Sequence, residues 1–366
     1  MGKVYTLLSG IEATLGQSTE ALNHLNLALE IFEKSNIKNE ITIVCCNLAD
    51  MYLRRAEYVQ ARPMLTRSYK LADEMGQAPI MSVALGNLGV LATRLGNLAE
   101  AEDWYQQALN LITPMGELFY TSLYYSYVAT ALIEQGKLDE AQPLLVQALK
   151  ISHSTRIAPC TGFALVVLGQ LRFARAQAAN LPLHDVSQQE LHQAQLRFEK
   201  LLLRARATLR LALTYDGLEA DVRLDGQLLL ARIAFLLEET EQAHEMATRA
   251  LDEARASELV WLQARAHGLL GLILHAQDGF TAAAASFEHA LDIFESTGMR
   301  LEHARVLYAQ AAILLDHKVS ARRRQAVADV SQVRLVFQEC QAGLDLHSAE
   351  QLLKVRVIPT IRTLPR

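Results

Sequence analysis

The chain has 366 residues, of which 51% are hydrophobic, and it carries a formal net charge of −5. This charge gives no electrostatic basis for nucleic-acid binding, and no apolar run reaches the roughly 20 residues that cross a bilayer. The first 16 residues lack the apolar core and the cleavage pattern of a signal peptide. The four cysteines have neither disulfide nor metal spacing, so we expect a reducing, cytoplasmic location.

A second-helix signature recurs along the chain: a small residue, three spacers, a large apolar residue, two spacers and a second small residue. Its first positions are Ala21, Ala61, Ala101, Ala141, Ala205, Ala243 and Ala283. The step is 40 residues, or 38 once, except between Ala141 and Ala205, where about 24 residues are inserted. A fixed period of this size is typical of a solenoid, in which each repeat packs only on its neighbours.

The spacing predicts one domain over residues 1–366, an all-α superhelix of about eight helix-turn-helix repeats. Their expected bounds are 3–36, 38–76, 78–116, 117–156, 158–216, 218–257, 258–298 and 300–342. We place the insertion at about 177–200 and an irregular tail at 356–366. The first helix begins almost at Met1, and its outer face has no visible partner. Two interpretations stay open there, a frayed end or a module that preceded it.

The third repeat is the clearest. Gly89 lies in the middle of its first helix, and Tyr105 is the large residue of its second helix. A mid-helix glycine costs about 1 kcal/mol against alanine, so we expect close contact there, as at Gly169 and Gly271. Glycines at the turns, as a left-handed helix stop favours, are Gly16, Gly96, Gly136 and Gly279. The second repeat has Arg54-Arg55-Ala56-Glu57 at its turn in place of that glycine.

The fourth repeat opens with a tyrosine cluster. Tyr120, Tyr124 and Tyr127 are three or four residues apart and share one face of a helix. Tyrosine offers contact area and a hydroxyl group, so a stripe on a groove suits a peptide or an apolar small molecule. The alternative, packing of the same tyrosines between repeats, is favoured.

The fifth repeat carries the insertion. Asp185 is a plausible N-cap of a helix of about thirty residues that contains neither glycine nor proline. This helix either projects from the superhelix or includes an added helical segment. Arg204, Arg206 and Arg210 on it could meet acidic neighbours or an anionic partner, although a solvated face is the favoured interpretation. A basic turn at 318–324 is interpreted as surface in the same way.

These residues resemble the tetratricopeptide repeat (TPR). The leucine–glycine pair Leu88–Gly89, the turn glycine Gly96 and the series Ala101, Tyr105 and Ala108 follow its pattern in order and spacing. The 40-residue period departs from the usual 34 and is similar to the MalT-like TPR region of bacterial signalling and transcription regulators. The resemblance implies a right-handed superhelix whose first helices line a concave groove.

No catalytic set is recognisable in the sequence. His267 and His275 lie close to one face, but no cysteine or carboxylate stands at ligand spacing beside them. No phosphate-binding glycine loop or hydrolase motif occurs. We therefore expect no enzyme activity, no cofactor and no metal. The positions that hold chaperone C-termini in related repeats are mixed, with Thr130 and Glu134 in the fourth repeat, so a terminal-carboxylate clamp is not expected.

The leading hypothesis is a protein-interaction scaffold that binds a peptide or protein segment in its groove. The second is a ligand-sensing regulatory region of a MalT-like signalling ATPase system, with a small-molecule effector. Neither predicts direct contact with nucleic acid or with a membrane. The candidate groove residues are Asp50, Arg54, Arg94, Tyr120, Tyr124, Tyr127, Gln170, Arg232 and His275.

Overall fold

The computed structural model describes residues 1–14, 17–179, 187–315 and 320–357. In these ranges the regular structure consists of 17 α-helices and one 3₁₀ turn, Thr113–Met115. The helices are α1 (Gly2–Thr14), α2 (Ser18–Lys34), α3 (Lys38–Arg54), α4 (Tyr58–Glu74), α5 (Ala78–Arg94), α6 (Leu98–Ile112), α7 (Leu118–Glu134), α8 (Leu138–Thr155), α9 (Ala158–Ala179), α10 (Gln188–Ala212), α11 (Ala220–Leu236), α12 (Thr240–Ala256), α13 (Val260–Ala276), α14 (Phe280–Thr297), α15 (Arg300–Leu315), α16 (Ser320–Cys340) and α17 (Gly343–Val357).

Consecutive helices pair as hairpins, from α1 with α2 to α15 with α16, and α17 follows the last pair. The predicted all-α superhelix of TPR-like repeats is confirmed. The odd-numbered helices are called the first helices below. The cap predicted at Asp185 is wrong, because α10 begins at Gln188. Ser187 accepts a bond from the Glu190 backbone, and the Glu190 carboxylate accepts from the backbone of Ser187 in return.

The small and large positions of the signature pack as the spacing predicts. Ala101 and Ala108 are completely buried, and Tyr105 between them is 2% exposed. A Cβ added to Gly89 would lie 2.4 Å from Cε1 of Tyr105, and one added to Gly271 would lie 2.7 Å from the Phe287 ring. Since no real Cβ comes so close, these glycines are required by the approach of the paired helix.

Two of the predicted turn glycines have the expected conformation. Gly96 has φ 77° and Gly136 has φ 78°, both in the left-handed region. The prediction for Gly279 is wrong: its φ is −80°, and the preceding residue, Asp278, takes the left-handed conformation with φ 61°. Gly16 lies outside the described residues.

The expectation that each repeat packs only on its neighbours is also wrong, because the superhelix closes on itself. The hydroxyl of Tyr58 lies 3.3 Å from Sδ of Met299, although 241 residues separate them. The turn after α7 meets the start of α17, where a Cβ added to Gly136 would lie 3.2 Å from the Leu344 backbone nitrogen. Arg94 on α5 likewise lies against Trp261 on α13, so first helices from opposite sides of the superhelix meet in its interior, which is called the lumen.

Candidate ligand-binding lumen

Four charged residues occupy the same repeat position in successive first helices. Asp225, Arg265, Arg305 and Asp345 are spaced by 40 residues, near the starts of α11, α13, α15 and α17. Arg265 donates to the carboxylate of Asp225. Arg305 donates to Oδ2 of Asp345 through Nε at 3.0 Å and through Nη2 at 2.7 Å. One repeat position thus supplies two ion pairs between neighbouring repeats.

Glu302 joins these two pairs. Arg305 donates to it at 2.7 Å, and Nε of Arg265 lies 3.7 Å from its other oxygen. Burial alone would raise the pKa of Glu302, but the two guanidinium groups outweigh burial and lower that pKa to about 2. Glu302 is therefore ionised at neutral pH inside the protein.

The network also reaches across the superhelix. Arg305 donates to Glu134 at the end of α7, 171 residues earlier in the chain. Nε2 of Gln170 on α9 donates to Oδ2 of Asp225 at 2.8 Å. The charge ladder, defined as Glu134, Asp225, Arg265, Glu302, Arg305 and Asp345, therefore ties the wall of the second half to the first half.

At the same repeat position the first half of the chain is apolar. Its residues there are Ile43, Val83, Leu123 and Phe163, and all four are half-buried. At this repeat position the wall of the lumen is therefore apolar from α3 to α9 and charged from α11 onwards. Our sequence reasoning missed both sets, although reading each column of the 40-residue period would have found them.

Asp50 and Arg54 lie together at the end of α3. Nε of Arg54 donates to Asp50 at 3.0 Å, and Nη2 donates to Glu219 before α11 at 3.2 Å. The side chains of Asp50 and Glu219 are 47% and 66% exposed. At this exposure such pairs contribute little to stability, so they mark where α3 and α11 meet rather than hold the fold together.

Arg94, on α5 in the repeat after Arg54, contacts the opposite side of the superhelix. Its guanidinium carbon lies 3.2 Å from the ring centroid of Trp261 on α13, and the tryptophan is 3% exposed. A desolvated cation over an indole ring is attracted by the ring quadrupole. Arg94 therefore holds α5 against α13.

The tyrosines of α7 differ among themselves. Tyr124 is 2% exposed, and its hydroxyl donates to the backbone oxygen of Ser82 at 2.7 Å. Tyr124 is therefore packed between two repeats. Tyr127 is half-buried, with its ring stacked on Tyr105 at 5.0 Å, and Tyr120 stacks on Tyr124 at 6.2 Å. The interpretation that Tyr124 belongs to a tyrosine stripe on a groove is therefore wrong. Tyr120 and Tyr127 retain partial exposure.

Two predicted residues lie outside the ladder's ion pairs. His275, near the end of α13, packs on Phe280 at 5.2 Å between ring centroids. Arg232, on α11, is exposed, and its guanidinium carbon lies 5.3 Å from the Phe173 ring centroid. Arg232 lies seven residues, or about two turns, after Asp225 on α11, so the two residues share the face of the helix that bears the ladder.

The side chains described above offer apolar surface and charged groups. Among the described residues, no three or more His, Cys, Asp or Glu side chains are placed to hold a metal ion. In the same part of the chain, no helix is long and apolar enough to cross a membrane. The lumen combines half-buried apolar side chains in one half with paired charges and one unpaired arginine in the other.

The fold and the repeat pattern define an all-helical, TPR-like repeat protein. Residues 2–181, just under half of the chain, match the family model described as the MalT-like TPR region. The predicted resemblance to that family is confirmed. A search of curated protein sequences found no significant match.

Solved structures with the same fold include two Rap proteins. One, in complex with Competence and Sporulation Factor, is 10% identical, with 97% of each chain covered and a TM-score of 0.57. The other, the Rap conjugation gene regulator of plasmid pLS20 in complex with the Phr* peptide, is 10% identical, with 92% of this chain and 97% of that chain covered and a TM-score of 0.63. A human IFIT1 dimer with m7Gppp-AAAA is 16% identical over 93% of this chain and 69% of that chain, with a TM-score of 0.50. At these identities the likeness shows the fold alone.

Proposed function

We propose that the protein is a non-catalytic scaffold that binds a peptide or an extended protein segment in its lumen. The observation that carries this proposal is the single repeat position that is apolar in α3 to α9 and charged in α11 to α17. A peptide presents apolar side chains, hydrogen-bonding backbone groups and few charges, which such a wall can accept together. A Rap protein of the same fold is known in complex with a peptide, which supports the proposal.

A nucleic acid suits this wall less well. The ladder contains four carboxylates, Glu134, Asp225, Glu302 and Asp345, and the chain as a whole is negative. A strand of nucleic acid would bring one further negative charge for each phosphate and would need basic groups to neutralise it. The RNA in the IFIT1 structure is therefore not carried over to this chain.

A second candidate is a ligand-sensing region of a MalT-like signalling ATPase system, which the family match over residues 2–181 favours. Peptide binding and sensing are compatible, so the discriminating fact is the partner module. A nucleotide-binding ATPase module encoded beside this chain would support the second candidate, and an isolated reading frame would count against it.

The test is a selection from a synthetic pool of random octapeptides on the immobilised protein, with retained peptides identified by mass spectrometry. The wall variants Leu123→Lys and Phe163→Lys place a charge among half-buried apolar groups and should lose the retained set. Val59→Lys is the matched control, because Val59 is 85% exposed on α4. Circular dichroism checks that each variant is folded. Retention of nothing by the wild type, or of the same set by both wall variants, would overturn the proposal.

A further inference from the structure

Arg232 differs from the other arginines that face the lumen. Arg265 and Arg305 are held by carboxylates, and Arg94 is stacked on Trp261. Among the described residues, Arg232 has no carboxylate within ion-pair distance, and its guanidinium carbon lies 5.3 Å from the centroid of the Phe173 ring. It is thus an exposed guanidinium beside a network in which every carboxylate already accepts a bond.

The ladder carboxylates already accept bonds from residues other than Arg232. Both recorded bonds to Asp345 come from Arg305, and Asp225 accepts from Arg265 and from Gln170. The surrounding protein desolvates part of the Arg232 side chain and lowers its pKa, Arg305 and Arg265 lower that pKa further, and Asp345 and Glu302 act in the opposite direction. The guanidinium stays protonated, since arginine does not lose its proton in proteins, and it is left without an anion.

We infer that Arg232 binds a carboxylate of the ligand, with Phe173 as the apolar surface beneath it. The inference rests on the proposed function and adds the chemical class of the ligand, a peptide that carries a carboxylate. A planar guanidinium can donate two parallel bonds to one carboxylate, which gives both affinity and a fixed orientation. The four ladder carboxylates would repel a ligand of higher negative charge, so a single carboxylate fits best.

The carboxylate has two possible sources, an Asp or Glu side chain or the free C-terminus of the peptide. The octapeptide pool distinguishes them when it is made in two forms, one with a free C-terminal carboxylate and one with a C-terminal amide. Enrichment of Asp and Glu in both pools indicates a side chain. Retention from the free-acid pool alone indicates the C-terminus.

The experiment compares wild type with Arg232→Gln, which keeps a polar side chain but removes the charge. Peptides retained by the wild type are resynthesised and their affinities measured by fluorescence anisotropy. A bond between a guanidinium and a carboxylate predicts a loss of about tenfold or more in Arg232→Gln, and replacing the peptide carboxylate by an amide should produce the same loss in wild type but none in the variant. Arg249→Gln is the matched control, because Arg249 is an exposed arginine on a second helix, α12.

The failures are distinguishable. Retained peptides without carboxylate enrichment, or equal affinities for wild type and Arg232→Gln, overturn the role of Arg232 and leave peptide binding standing. Retention of no peptide by the wild type overturns the proposed function and this inference together. A loss of equal size in Arg249→Gln would show a general charge effect and would also overturn the assignment.

Discussion

The two halves of the lumen wall use one repeat position in opposite ways. In α3 to α9 it holds Ile43, Val83, Leu123 and Phe163, and in α11 to α17 it holds Asp225, Arg265, Arg305 and Asp345. In the charged half these residues form ion pairs with one another, and Arg305 also donates to Glu134 in the other half. The apolar half remains half-buried, with part of its surface free. The comparison indicates that charge at this position joins helices across the superhelix, whereas the apolar side chains keep the exposed surface that the proposed function assigns to a ligand.

The largest effect should come from Arg305→Gln. This change leaves the carboxylates of Glu134, Glu302 and Asp345 close together without their shared cation. Breaking a buried pair typically costs 3–5 kcal/mol. Because the Arg305 side chain is 25% exposed, we expect about 3 kcal/mol, measured by urea unfolding.

The matched change in the other half is Leu123→Gln. It removes a half-buried apolar side chain and leaves no charge unpaired, so we expect a loss of about 1 kcal/mol. Small-angle scattering should show an increased radius of gyration in Arg305→Gln and none in Leu123→Gln. Equal losses of stability in the two variants would contradict the division of the wall.

The repeat architecture could be predicted from the sequence because it depends on local spacing. Whether a neighbouring helix buries the apolar face of a given repeat could not be predicted in this way. Val4 and Val44 are the same residue type 40 positions apart, as are Leu8 and Leu48. Val44 and Leu48 are 0% and 1% exposed against the preceding repeat, whereas Val4 and Leu8 are 51% and 37% exposed. Periodicity identifies the face of a helix, and the neighbouring helix decides whether that face is buried.

The candidate site was predicted in part for a related reason. Arg54, Arg94 and Gln170 are among the candidate groove residues, and they meet partners just before α11, on α13 and on α11, respectively. The partners themselves could not be predicted, because the ladder forms only when the superhelix closes and the pitch of the superhelix is not encoded in any single repeat. Tyr124 was assigned to the groove as one of two interpretations, and the hydrogen bond to Ser82 decides for the other.

The second prediction concerns the pH dependence of the charged half. The folded-state pKa of Glu302, about 2, lies below its ordinary value of 4.5. Its ionised form therefore contributes stability above pH 4.5, and this contribution is lost as the pH falls towards 2. Glu302→Gln should cost roughly 2 kcal/mol at pH 7, and its difference from wild type should shrink between pH 5 and pH 3. A difference that stays constant over that range would show that Glu302 is not held by the arginines.

The third prediction tests the contact between α5 and α13. Arg94→Ala removes the cation over Trp261, and we expect a loss of about 1 kcal/mol in unfolding free energy, since the ring is desolvated. Tryptophan fluorescence should also shift, because Trp261 loses the group that covers it. Arg94→Lys keeps the charge and should recover part of the stability. A full loss in Arg94→Lys would assign the contact to packing of the planar guanidinium rather than to its charge.

The smallest effect on stability is expected at Arg232. Arg305 is paired with three carboxylates, whereas Arg232 is paired with none among the described residues. Arg232→Gln removes an exposed cation that has no carboxylate partner among the described residues, and on which the attraction of Asp345 and Glu302 opposes the repulsion of Arg305 and Arg265. The unfolding free energy should change by less than about 0.5 kcal/mol in either direction, although peptide affinity falls. A destabilisation close to that of Arg305→Gln would mean that Arg232 belongs to the structural network, and the site proposed for a carboxylate would then be occupied by the protein itself.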